Sequence, residues 1–163
     1  MTVQIQQKST TTTDNATISY LEYTSSASTS DAYSKPGLII LHGGLECSHS
    51  HSELASALCS TLPIYLPDRR GRGASSAPGP DFSMQTEIND LKALILATGA
   101  RSVLGVSSGA MITIYSTLAL ATKSNAEEAL IKKIAIFEPS IILDDFPLFE
   151  KSVGSGGNFG WEL

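Results

Sequence analysis

Gly105-Val106-Ser107-Ser108-Gly109 stands between the apolar run Ser102-Val103-Leu104 and the helix-forming stretch Ala110 to Thr122. A strand, a tight Gly-x-Ser-x-Gly turn and a helix in that order form a nucleophile elbow, which holds a serine hydroxyl exposed above a parallel sheet. Small flanking residues are needed because the backbone of such a turn is strained and larger side chains would block a substrate. A serine so placed is useful only with a base to take its proton and donors to hold an oxyanion.

Working outward, Leu38-Ile39-Ile40-Leu41 is continuously apolar and ends at His42-Gly43-Gly44. Ile64-Tyr65-Leu66 stops at Pro67-Asp68, and Ile134-Ala135-Ile136-Phe137 stops at Glu138-Pro139. Short runs of this kind suit strands buried on both faces. Between them, Ser50 to Cys59 reads as a helix with Leu54, Ala57 and Leu58 on its apolar stripe. Ser83 to Thr98 is a second helix, with Met84, Ile88, Leu91 and Ile95 along one face, Asp81 or Ser83 as cap and Gly99 as terminator. The elbow helix covers 109–122, and the Gly- and Pro-bearing segment Arg69 to Pro80 is a loop. Strands alternating with helices predict an α/β fold, a mostly parallel sheet with helices on both faces. Ligands of open sheets gather beyond the carboxyl ends of the strands. His42-Gly43-Gly44, Asp68, Ser107 and Glu138 all fall at such ends.

The flanks add less. Residues 1–34 hold two strand candidates, Val3 to Gln7 and Thr17 to Tyr23, among Ser- and Thr-rich tracts, and predict an antiparallel pair at a sheet edge. Lys123 to Glu128 is a polar break, and residues 146–163, with Trp161 and the glycines from Gly154 to Gly160, form an irregular tail. One domain results: the edge pair in 1–34, the core in 35–145, and the tail.

Composition excludes several classes. The chain has 163 residues, 42% hydrophobic, and a net charge of −5. That suits one packed domain and argues against a nucleic-acid partner. Arg69, Arg70 and Arg72 are too short a cluster in an acidic chain to read as an RNA or phosphate patch. No Lys follows the glycines of the elbow, so it is not a phosphate-binding P-loop. Cys47 and Cys59 do not make a disulfide framework. No membrane-spanning run or signal-peptide core is present, so the expectation is a cytoplasmic protein without a membrane partner. Asn15-Ala16-Thr17 matches the glycosylation pattern by chance on that reading. No metal-ligand spacing occurs, and the expected cofactor is none. Oligomeric state is not legible.

Three landmarks now stand in order: His42-Gly43-Gly44 after the first buried strand, Asp68-Arg69-Arg70-Gly71-Arg72-Gly73-Ala74-Ser75, and the elbow. On these the chain resembles the α/β-hydrolase superfamily, of the general type with small-molecule substrates, over residues 15–145. The resemblance implies that Ser107 is the nucleophile and that the N–H groups of Ser108 and of Gly44, with Leu45 as the alternative, form the oxyanion hole. It implies esterase-like acyl chemistry with no cofactor. Ser108 opens a helix, where unpaired N–H groups and the dipole favour negative charge. In this reading His42 packs behind the oxyanion loop and Asp68 anchors the 69–73 loop.

In the same family the triad acid and histidine follow the serine. The three histidines here, His42, His49 and His51, all precede Ser107. The family also adds strands beyond 134–137. The chain is therefore expected to be a partial fold, an amino-terminal fragment whose carboxy-terminal strands, acid and histidine are missing and which is inactive alone. Glu138 is the leading candidate for a substitute acid, ahead of Asp144 and Asp145, while His49 and His51 read as solvated residues at a helix start. The alternative is a degenerate, non-catalytic chain that binds a ligand or partner, with the 134–137 strand as an uncovered apolar edge.

Overall fold

The structure is a computed structural model that describes residues 2–26, 36–121 and 129–140. Its strands are β1 (Val3–Thr11), β2 (Thr17–Ser25), β3 (Leu38–Leu41), β4 (Ile64–Pro67), β5 (Ser102–Val106) and β6 (Lys133–Phe137). They make one six-stranded sheet in the order β1-β2-β4-β3-β5-β6. β3 to β6 run parallel, while β2 joins β4 antiparallel and carries β1 as an antiparallel edge. The expected edge pair and parallel core are both present. The tail, the 123–128 break, Asp144, Asp145 and Trp161 lie outside the described residues.

The alternation of side chains along a strand explains why the short runs are apolar throughout. Ile39 and Leu41 of β3 face one core with Leu91, Leu94, Ile95, Val103 and Ile112. Ile40 faces the other, with Ala55, Cys59, Ile64 and Leu66. A strand covered on both sides has no solvent face on which to place a polar residue. Three helices provide the cover: α1 (Ser52–Leu58), α2 (Met84–Thr98) and α3 (Ser108–Ala121).

α2 follows its sequence closely. The Ser83 hydroxyl accepts the Thr86 N–H, the Thr86 hydroxyl accepts the Ser83 N–H at 3.2 Å, and Gly99 closes the helix at φ 69°. Only glycine adopts that left-handed cap without strain. α1 departs from expectation. It is preceded by a 3-10 turn at Ser48–His51 and is only seven residues long. Ala55 and Cys59 are buried instead of the expected stripe, Leu58 is half-buried, and Leu54 and Ala57 are exposed. Both cysteines are free thiols. β6 is the edge strand opposite β1 among the described residues, and Ile134 and Phe137 are exposed on it.

The loop after β4 is tied down by charge. Asp68 accepts the Ser48 N–H at 2.8 Å and the Ala74 N–H at 3.1 Å, and Gly73 approaches its carboxylate too closely for any side chain. Burial opposes ionisation of Asp68, but these donors outweigh it and keep its pKa below the ordinary carboxylate value. Arg70 is buried and grips Asp90 of α2 through Nε and Nη2, each at 2.8 Å, and also Asp14 in the β1–β2 turn at 2.7 Å. One guanidinium thus joins the edge hairpin, the loop and α2. Arg70→Met leaves Asp90 buried without its partner and should cost about 3–5 kcal/mol, read as a lower urea midpoint; an unchanged midpoint would contradict the assigned linkage.

Candidate active site

The expected strand–turn–helix bend is formed at the end of β5. Ser107 has φ 52°, in the left-handed region, and its N–H donates to Phe137 O of β6 at 3.0 Å. A non-glycine residue in that region is strained and persists only where its surroundings hold it. They do so by close approach on both sides. A Cβ added at Gly105 would meet Thr113 Oγ1 at 2.5 Å and Gly109 O at 2.6 Å. One added at Gly109 would run into the carbonyl oxygens of Leu41 and His42. Thr113 Oγ1 donates to Gly109 O at 2.8 Å and completes the first turn of α3.

This packing brings the elbow beside the loop after β3. A Cβ added at Gly43 would sit 3.3 Å from Ser107 Cβ, and one added at Gly44 would sit 3.6 Å from Ser108 Oγ. A cavity of ≈ 780 Å³ opens there, lined by Gly43, Gly44, Leu45, Glu46, His51, Leu54, Leu104, Val106, Ser107, Ser108, Phe137 and Glu138. Ser107, Ser108, Gly44, its alternative Leu45, and Glu138 all line this cavity, while Asp144 and Asp145 lie outside the described residues. Leu45, Leu54, Leu104, Val106 and Phe137 make most of its wall apolar. Leu45, at 96% exposure, stands at its mouth.

The histidines divide. His42 is 1% exposed, accepts the Arg69 N–H on Nε2 at 3.2 Å, and donates from Nδ1 to Gly43 O at 2.7 Å. Both ring nitrogens are thereby committed. Burial pushes its pKa down to about 4, so it is a neutral brace behind the loop. His49 is exposed. His51, expected to be solvated, instead lines the cavity, with Nε2 3.3 Å from Glu46 Oε2. Glu46 also accepts the Gly43 N–H at 2.6 Å; burial works against its ionisation, yet these partners leave its pKa lowered. Glu138 lies on the cavity rim at φ 46°. Ser107 Oγ is 3.2 Å from Ser140 Oγ.

Sequence reading missed Glu46, Ser140 and the reach of Arg69. Arg69 meets Glu87 of α2 with Nη2 at 2.6 Å and Ser108 Oγ with Nη1 at 2.9 Å. Arg72 donates to Gly44 O at 2.7 Å. Each arginine of the 69–72 cluster is therefore engaged inside the chain. The signal was available in kind: buried carboxylates on α2, Glu87 and Asp90, call for buried cations.

Among known proteins, the family model for the alpha/beta hydrolase fold matches residues 36–158. An alpha/beta hydrolase from Sphaerobacter thermophilus is 27% identical with a TM-score of 0.67, over 90% of this chain and 52% of that one. An esterase from Exiguobacterium antarcticum is 18% identical with a TM-score of 0.67, over 83% and 46%. An epoxide hydrolase from Vigna radiata is 21% identical with a TM-score of 0.65, over 81% and 37%. The chain spans about half the length of the first of these. None of the curated proteins compared with the chain matches it. No helix among the described residues is long and apolar enough to cross a membrane.

The depressed pKa of His42 fixes the sign of a pH effect. An unfolded chain protonates this imidazole near its ordinary 6.5, and the folded chain only near 4. The stability gained is complete above pH 6.5 and is lost as pH falls toward 4; the difference corresponds to roughly 3 kcal/mol. His42→Gln, which keeps a donor and an acceptor but does not titrate, should remove that part of the loss in urea melts at pH 7 and pH 4.5. Equal pH dependence in both proteins would contradict the assignment.

Proposed function

The chain belongs to the alpha/beta hydrolase family, and from that premise we propose that Ser107 is the nucleophile for acyl transfer from a small-molecule ester. The observation that carries this is the strained φ of 52° at Ser107, at the edge of a cavity bordered by the main chain of Gly44 and Ser108. Strain of this sort is kept where a fixed direction for one side chain matters more than local comfort.

In the reaction Ser107 Oγ bonds to the acyl carbon, and the carbonyl oxygen takes up negative charge against the N–H groups of Gly44 and Ser108. The proton that leaves Ser107 Oγ passes through water to the alcohol oxygen as collapse breaks its bond to the acyl carbon. A water then adds to the acyl carbon, leaving its hydroxyl on the acid and returning a proton to Ser107 Oγ. The Gly43 N–H is already given to Glu46, which leaves Gly44, with Leu45 as the alternative, as the donor on that side. Ser108 N–H is a first-turn donor of α3 with no intrahelical acceptor. Such fixed donors are among the larger contributions to acyl transfer, about a hundredfold or more each. The apolar wall of the cavity suits an apolar acyl or alcohol group. No cofactor enters the scheme.

Among the described residues, no base hydrogen-bonds to Ser107 Oγ. His42 is committed on both nitrogens, and the hydrogen-bond partner of Ser107 Oγ is another hydroxyl, Ser140. That observation favours a second reading, a slow or non-catalytic chain that keeps the cavity for a ligand. Loss of the base from such a triad costs several orders of magnitude, yet residual reactivity survives through the oxyanion donors. Incubation with a fluorophosphonate should therefore add one phosphonyl group to Ser107, slowly, located by peptide mass spectrometry, and none to Ser107→Ala. Labelling of a different serine, or of none, would leave the ligand-binding reading standing.

A further inference from the structure

We infer that Arg69 is a positioning residue that holds both halves of the oxyanion hole with one guanidinium. This rests on the assignment of Gly44 and Ser108 as the donors. The Arg69 side chain is 12% exposed, and the two sides of its guanidinium do different work. Nε and Nη2 close on the Glu87 carboxylate, at 3.2 Å and 2.6 Å to Oε1, which anchors the arginine to α2. Nη1 points the other way and donates to Ser108 Oγ at 2.9 Å, Gly43 O at 3.3 Å and His42 O at 3.4 Å. The main-chain N–H of the same residue also holds His42, whose Nδ1–H donates to Gly43 O at 2.7 Å.

The consequence follows from the planarity of the peptide bond. No cis peptide occurs among the described residues, so the C=O of Gly43 and the N–H of Gly44 point in opposite directions. Fixing Gly43 O toward Arg69 and His42 turns the Gly44 N–H away from them, toward the cavity that Gly44 lines. The contact to Ser108 Oγ ties the first residue of α3 to the same guanidinium. Gly44 N–H and Ser108 N–H come from segments far apart in sequence, and Arg69 sets their spacing. A lysine cannot repeat this, because one ammonium does not span the Glu87 carboxylate and the three acceptors opposite it.

Arg69→Lys keeps a cation beside Glu87 and gives up the second side. In the full chain, two readouts separate the possibilities, each taken after equal urea midpoints have shown that the fold survives. The first is the heteronuclear NOE of the Gly43, Gly44 and Ser108 amides, expected to fall in Arg69→Lys while those of Ile39 and Val103 stay as in the parent. The second is the rate of fluorophosphonate labelling at Ser107, expected to fall at least about tenfold. Unchanged NOEs, or an unchanged labelling rate in a protein that does label, would overturn the role of Arg69. If the parent chain does not label at all, the nucleophile assignment fails and the NOEs alone decide whether Arg69 holds the loop. Should Arg69→Lys unfold, the pair Arg69→Met with Glu87→Met removes the buried charges together and is read in the same two ways.

Discussion

The main chain of Gly109 lies against the carbonyl oxygens of Leu41 and His42, closer than any side chain would allow. This contact joins the first turn of α3 to the end of β3, where Leu41 pairs with Gly105 of β5. Everything in the cavity depends on it. With the helix pressed down on the sheet, the turn between β5 and α3 has room for a single residue, and that residue is forced to a positive φ. The serine is raised by the packing beneath it, and the loop after β3 is brought alongside by the same packing.

Charge then fixes what packing leaves loose. The segment 68–75 sends Asp68 back to the Ser48 N–H and Arg70 to Asp90 and Asp14. Arg69 and Arg72 reach instead to the carbonyls of Gly43 and Gly44. Buried ion pairs gain little net stability over apolar packing, so their use here points to geometry. Loop carbonyls gripped by guanidinium groups cannot rotate, and a peptide that cannot rotate keeps its N–H aimed. Preorganised donors of this kind need no rearrangement when charge develops in front of them.

Much of this was legible in the sequence because its causes are local. The apolar runs at 38–41, 64–66 and 134–137 are strands since each is buried on both sides, and Ser83 with Gly99 bounds α2 through its own hydrogen bonds. The sharp turn at 107 was legible because it can be made only with glycine at 105 and 109. The inner face of α1 was hidden because Leu54, Ala57 and Leu58 do form an apolar stripe, but the docking of α1 against β4 buries Ala55 and Cys59 with Ile64 and Leu66, and Leu54 lines the cavity instead. His51 and Glu46 were missed as a pair because the bend that brings them together is tertiary. The destination of each arginine was equally hidden. Identical side chains at 69, 70 and 72 diverge to different partners, and only the path of the loop decides which.

Phenylboronic acid is the direct probe of the central claim, that a strained serine faces two main-chain donors across the cavity. Titrated into the chain and followed by ¹H–¹⁵N correlation and ¹¹B spectra, it should give a tetrahedral boron on Ser107 with the largest amide shifts at Gly44 and Ser108. The Ser107→Ala chain should give neither. A tetrahedral boron with shifts centred on other amides, or no adduct at saturating probe, would contradict the account.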